Sequence, residues 1–109
     1  VEGQLRGCSW MGMSHALYET TAPYYPAVDH SPKDFSDYVL PGPTELPEIE
    51  SVVLEYPSAN GPYGVKGVSE MTANSPIPAI VNAIYNATGK WILHYPITPD
   101  KVLKSLGKI

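Results

Sequence analysis

Apolar and small residues recur at helical spacing near the start of the chain. Leu5, Cys8, Met11, Gly12, Ala16 and Leu17 fall on one face and predict a helix over Gly3–Glu19. Gly7 and Gly12 would each cost about 1 kcal/mol against alanine inside it, so both are expected to mark close packing. A second helix is predicted to begin with Ser75 as N-cap and Pro76 in its first turn. It would bury Ile77, Ile80, Val81, Ile84 and Ala87 and stop at Gly89. A third is predicted from Thr98-Pro99-Asp100, burying Val102, Leu103 and Leu106 and ending at Gly107. Ile49–Tyr56, β-branched and aromatic and closed by Pro57, is the strand candidate, and Trp91–Tyr95 is a short extended stretch.

Thr20–Pro47 is broken by Pro23, Pro26, Pro32, Pro41, Pro43 and Pro47, so no long element survives there. Tyr24, Tyr25, Phe35 and Tyr38 are expected to pin this loop to a surface, and Glu45, Glu48 and Glu50 to form a solvated rim. The order is helix, long loop, strand, glycine loop, helix, short strand, helix. That is an α+β class carried by a single segment, residues 1–109.

The glycine loop carries the candidate chemistry. Glycines stand at 61, 64 and 67, Lys66 lies among them, and Glu70 closes the run. Glycine permits φ > 0 or a close backbone approach at an entropic cost, so this density suggests a main chain pressed against a ligand. The spacing is neither that of a P-loop nor that of the dinucleotide fingerprint. It suits a ligand held by main-chain N–H groups, with Glu70 as the acid–base group beside it. A glycine-rich surface turn ahead of a helix-favouring glutamate is the alternative.

Composition narrows the partners. A net charge of −4 with scattered lysines offers no footprint for nucleic acid or anionic lipid. One cysteine, Cys8, excludes an internal disulfide. His15, His30 and His94 are far apart and unpaired with other ligand types, so no side-chain metal site is expected. No apolar run reaches membrane-spanning length, and a cytoplasmic location is expected. Twelve prolines and nine glycines leave few elements to close a core, so the chain reads as a piece of a longer protein.

Three separated blocks carry a family resemblance. They are Gly61-Pro62-x-Gly64-x-Lys66-Gly67-Val68-x-Glu70, Pro78-Ala79-Ile80-x-Asn82-Ala83-Ile84-x-x-Ala87-Thr88-Gly89, and Tyr95-Pro96-Ile97-Thr98-Pro99-Asp100-Lys101-Val102-Leu103. With Glu2-Gly3-Gln4-x-x-Gly7 and Gly12-x-x-x-Ala16-Leu17-x-Glu19, they resemble the C-terminal end of the molybdenum-binding subunit in the xanthine dehydrogenase/aldehyde oxidase family. Ser69 stands where that family has glycine, Met11-Gly12 replaces Gln-Gly, and Met71-Thr72 replaces Pro-Pro.

The resemblance implies the C-terminal part of a molybdopterin-binding domain in an oxidoreductase. Such an enzyme hydroxylates an N-heterocycle such as a purine, or an aldehyde, with water as oxygen source. Glu70 would be the general base. Gln4, Lys66, Gly67, Val68 and Ser69 would contact a molybdenum–pterin cofactor, the cytosine dinucleotide form among its candidates, with no protein ligand to the metal. It further implies [2Fe–2S] clusters and FAD on other domains or subunits, and the remainder of the molybdenum subunit as a partner. The excised chain would be inactive and would self-associate through uncovered apolar surface. The competing reading is a non-catalytic module of the same fold that serves subunit packing.

Overall fold

The computed structural model describes residues 1–19 and 34–109. Helix α1 spans Glu2–Leu17, α2 spans Pro76–Thr88 and α3 spans Pro99–Ser105; single 3₁₀ turns occupy Pro62–Gly64 and Glu70–Ala73. α1 lies against α2 and against the Glu70–Ala73 turn.

The buried face of α1 is Cys8, Gly12, Ser14 and Ala16, with Leu5, Met11 and Leu17 half-buried beside it. Only one of its two interior glycines is a packing residue. A Cβ on Gly12 would run into the Ala73 carbonyl oxygen and sit 3.0 Å from Pro76 Cγ, whereas one on Gly7 would meet nothing within 4 Å. The absent side chain at Gly12 lets α1 close onto the start of α2. Gly7, expected to do the same, faces open space.

α2 begins and ends where the sequence predicts. Pro76 occupies the first position, and Gly89, at φ 68°, adopts the left-handed conformation that ends the helix and returns its N–H to the Tyr85 carbonyl, 2.7 Å away. Ser75, in contrast, makes no side-chain cap. Val81 from α2 packs with Ile92 and Ile97 as the buried core, and Leu17, Ile84, Tyr95 and Val102 close around it. The 91–97 stretch is tied to α1 by the Ile97 N–H donating to the Ala16 carbonyl at 2.7 Å, and to α3 by Lys101 Nζ donating to the Pro96 carbonyl at 2.9 Å. α3 buries less than expected: Val102 is half-buried, but Leu103 and Leu106 are exposed.

The long-loop aromatics divide. Tyr38 pins its segment, its hydroxyl donating to Glu19 Oε1 at 2.5 Å, and Trp10 of α1 reinforces the attachment by donating to the Pro41 carbonyl at 3.1 Å. Phe35 is 97% exposed and pins nothing among the described residues. Tyr24, Tyr25 and His30, with Pro23, Pro26 and Pro32, lie outside the described residues. Glu45, Glu48 and Glu50 are all exposed, as a solvated rim requires.

Neither 49–56 nor 91–95 forms a β ladder among the described residues. A strand exists only against a partner that takes up its N–H and C=O groups, and the described part of the chain supplies none. Val52, Val53, Leu54 and Tyr56 are accordingly exposed. The radius of gyration, 17.0 Å, exceeds the roughly 13 Å of a compact domain of this length. The accessible surface of 8055 Å² likewise exceeds the roughly 6,000 Å² expected for its mass. Apolar surface is therefore left open on a thin core.

Candidate functional site

The glycine loop divides into two halves. The first is closed on itself: Ser58 N–H donates to the Gly64 carbonyl at 2.9 Å, Gly64 N–H to Gly61 at 3.2 Å, and Val65 N–H to Pro62 at 3.0 Å. Two glycines serve this turn sterically. A Cβ on Gly61 would fall 2.8 Å from the Val65 carbonyl oxygen, and Gly64 combines φ 73° with a Cβ site 2.9 Å from Pro57 Cβ. Tyr63 also adopts a positive φ, 53°, with its side chain fully exposed.

The second half is open. Lys66, Gly67, Val68 and Ser69 are exposed, and none of their N–H groups finds an acceptor among the described residues. A Cβ on Gly67 would meet nothing within 4 Å, so its surroundings are free. Glu70 begins the second 3₁₀ turn with an exposed carboxylate that has no hydrogen-bond or ion-pair partner among the described residues.

That turn is held against α1 from both sides of Glu70. Gln4 Nε2 donates to Cys8 Sγ at 3.3 Å, and the Cys8 thiol donates to the Ser69 carbonyl at 3.5 Å. Thr72 Oγ1 donates to the Leu5 carbonyl at 3.3 Å. The structure thus brings Gln4, Ser69 and Glu70 to one place, although Gln4 and Ser69 lie 65 positions apart in the sequence. Lys66, Gly67 and Val68 line the open edge that leads to it. Sequence reasoning missed Cys8 and Thr72 as the connecting residues. The signal for Cys8 was its position four residues after Gln4, on the same helix face; nothing in the sequence marked Thr72.

The larger cleft lies elsewhere. About 580 Å³ in volume, it is lined by Glu2, Arg6, Glu48, Ile49, Glu50 and Ser51. Glu2 and Arg6 lie about 200° around the helix from Gln4 and Cys8, so this cleft opens on the opposite side of α1 from Glu70. An apolar groove of about 360 Å³ runs between α1 and α2, walled by Met13, Leu17, Leu46, Ile49, Ile80 and Ala83.

The groups at this site suit an organic ligand. Among the described residues no group of three or more His, Cys, Asp or Glu side chains could hold an ion. What converges instead, among the described residues, is a row of unpaired main-chain N–H groups and one amide side chain, which suit acceptor atoms on an organic ligand, beside one unpaired carboxylate, which suits a donor. None of the described helices is long and apolar enough to cross a membrane.

No protein-family model matches the chain. Several curated proteins do match, nearly from end to end. The chain is 32% identical over 109 residues to a probable hypoxanthine oxidase of Escherichia coli (strain K12), covering 98% of the chain and 11% of that protein. It is 37% identical over 115 residues to the molybdenum-binding subunit of an aldehyde oxidoreductase of the same organism, covering 100% of the chain and 15% of the relative. It is 35% identical over 108 residues to the nicotine 6-hydroxylase large subunit of Paenarthrobacter nicotinovorans, covering 96% and 13%. The chain therefore spans only a small part of the length of the relatives it matches. In sequence and in order of motifs, it belongs to the xanthine dehydrogenase and aldehyde oxidoreductase family of molybdenum-binding subunits, of which it forms a segment.

Proposed function

We propose that this chain forms one wall of the active site in a molybdenum hydroxylase, with Glu70 as the general base. The substrate would be an N-heterocycle such as a purine, or an aldehyde, hydroxylated with oxygen from water. The observation that carries this reading is the placement of Glu70. Its carboxylate stands exposed and, among the described residues, unpartnered at the end of an open row of N–H groups, while the turn beneath it is fixed to α1. A general base must be within reach of the proton it takes and must not be spent on an internal ion pair.

Lys66, Gly67, Val68 and Ser69 would lie along the cofactor through their main chain. Gln4 would present to it the amide carbonyl and N–H that its contact with Cys8 leaves over. When bound, the molybdenum–pterin group, in its cytosine dinucleotide or simpler form, supplies the redox centre that takes two electrons from the substrate carbon. Those electrons would leave through [2Fe–2S] clusters to FAD on other domains or subunits. The remainder of the molybdenum subunit would cover the apolar groove and pair with 49–56 as a strand, completing an α+β domain. Cut from that cover, the chain is expected to be inactive and to self-associate. A cytoplasmic location without nucleic-acid or membrane contact belongs to the same reading.

The competing reading, a packing module without catalysis, requires Glu70 to be satisfied within the chain's own fold, and an exposed carboxylate without a partner among the described residues argues against that. The test is Glu70→Gln in the complete enzyme, assayed with hypoxanthine, nicotine and benzaldehyde as probes of the two substrate classes. Gln keeps the shape and removes the base, so turnover should fall by about 10²–10⁴-fold at unchanged molybdenum content. Undiminished turnover would remove Glu70 from the chemistry.

A further inference from the structure

We infer that Cys8 and Thr72 are positioning residues that clamp the Glu70 turn onto α1 from opposite sides and so set where its carboxylate points; this rests on the assignment of Glu70 as the base. Cys8 is wholly buried and sits between Gln4 and Ser69. Its thiol accepts from the Gln4 amide and donates to the carbonyl of the residue immediately before Glu70. Thr72, two residues after Glu70, donates its hydroxyl to the Leu5 carbonyl. The two anchors land on α1 three residues apart, at Leu5 and Cys8, within a single helical turn. The Glu70 turn is therefore held at both ends on one rigid element, and α1 itself is locked in place where Gly12 meets Ala73 and Pro76.

The arrangement has a mechanical logic. Glu70 has no side-chain hydrogen bond or ion pair of its own among the described residues, so its direction is set through the backbone on either side. A four-residue 3₁₀ turn is a weak element, short of hydrogen bonds and poor in geometry, and by itself would not fix a carboxylate. Two side-chain bonds to a 16-residue helix supply the rigidity that the turn lacks. Cys8 also couples Gln4 to the same turn, so the amide proposed to face the cofactor and the carboxylate proposed to act as base share one scaffold. A thiol, a weak donor and a weak acceptor, makes both contacts at once, at 3.3 and 3.5 Å.

The experiment uses the complete enzyme carrying Cys8→Ala, Thr72→Val, the double variant, and the conservative Cys8→Ser and Thr72→Ser. Displacement of a reacting group by an ångström costs about 10²-fold, so each single loss should lower kcat per bound molybdenum on the order of 10-fold and the double about 10²-fold. KM for hypoxanthine, nicotine or benzaldehyde and the molybdenum content should not change. Each serine variant should recover most of the rate by keeping a donor. Independently of activity, amide hydrogen exchange over 66–74 should accelerate in Cys8→Ala and Thr72→Val and return in the serine variants. Normal kcat per molybdenum in the double variant, or a loss that merely follows molybdenum content, overturns the clamp. Glu70→Gln separates the two ideas. If it is inactive while the double variant is normal, only the clamp fails; if it turns over normally, the base assignment fails first.

Discussion

Two regions of this chain treat their polar groups in opposite ways. At the C-terminal end, the residues around Val81, Ile92 and Ile97 close on themselves. Lys101 reaches the Pro96 carbonyl, Ile97 reaches Ala16, and Asp100 accepts from the Thr98 hydroxyl while facing Lys104 at 3.5 Å. In the middle of the chain, the 49–56 stretch and the second half of the glycine loop make no backbone–backbone hydrogen bonds among the described residues, and Glu70 has no hydrogen-bond or ion-pair partner among them. Both regions contain a carboxylate at the start of a helical turn, Asp100 and Glu70. One is used to hold its own helix; the other is left available. The difference separates polar groups that are used within the fold from polar groups left open at its surface.

The contrast is also visible within α1, and it gives the largest expected stability effect. Gly12→Ala would push a methyl group into the Ala73 carbonyl and the Pro76 ring, and should destabilise the chain by about 1–3 kcal/mol. Gly7→Ala meets open space and should stabilise by up to about 1 kcal/mol through helix propensity. Thermal unfolding of the two variants should therefore shift in opposite directions. A Gly12→Ala midpoint equal to that of the unmodified chain would mean that α1 does not close tightly on the Glu70 turn.

The helices were legible in the sequence because their signals are local. Pro76 and Gly89 bracket α2, and Pro99 and Gly107 bracket α3, through backbone geometry that needs no neighbour. Burial was less legible. Leu103 and Leu106 sit on an apolar face that nothing in the described residues covers, and Gly7 and Gly12 of α1 look alike until Pro76 is seen against one of them. The strand at 49–56 depends wholly on a partner, so residue preferences could propose it but not build it. Of the site, Glu70 and the glycines were readable as a motif, whereas Cys8 and Thr72 act across more than 60 residues of sequence and leave no local mark.

The division within the glycine loop should show in amide hydrogen exchange. Ser58, Gly64 and Val65 donate to carbonyls within the loop and should be protected relative to Lys66, Gly67, Val68 and Ser69. Binding of the cofactor in the complete enzyme should protect the second group and leave the first nearly unchanged. Uniform exchange through 58–69 would erase the distinction, and protection gained only at 58–65 would move the ligand to the wrong half of the loop.

The smallest effect sharpens the comparison between the two carboxylates. Asp100 is held below its ordinary value of 3.8, first by the Thr98 hydroxyl it accepts from and then, against a partial desolvation that raises it, by the positive charge of Lys104. A carboxylate whose folded value is depressed adds stability above its unfolded value and loses it as pH falls through the folded one. Acidification should therefore leave α3 intact near neutrality and begin to loosen it only below about pH 4, as the unfolded form takes up a proton first. A carbon-13 titration of the Asp100 carboxyl would follow this directly. Thr98→Ala should raise the midpoint more than Lys104→Ala does, and added salt should reduce only the Lys104 contribution, because an exposed charge pair is screened and a hydrogen bond is not. A midpoint that ignores Thr98 but moves with salt would make the pair with Lys104 the true anchor, and the C-terminal end would then be less self-contained than its hydrogen bonds suggest.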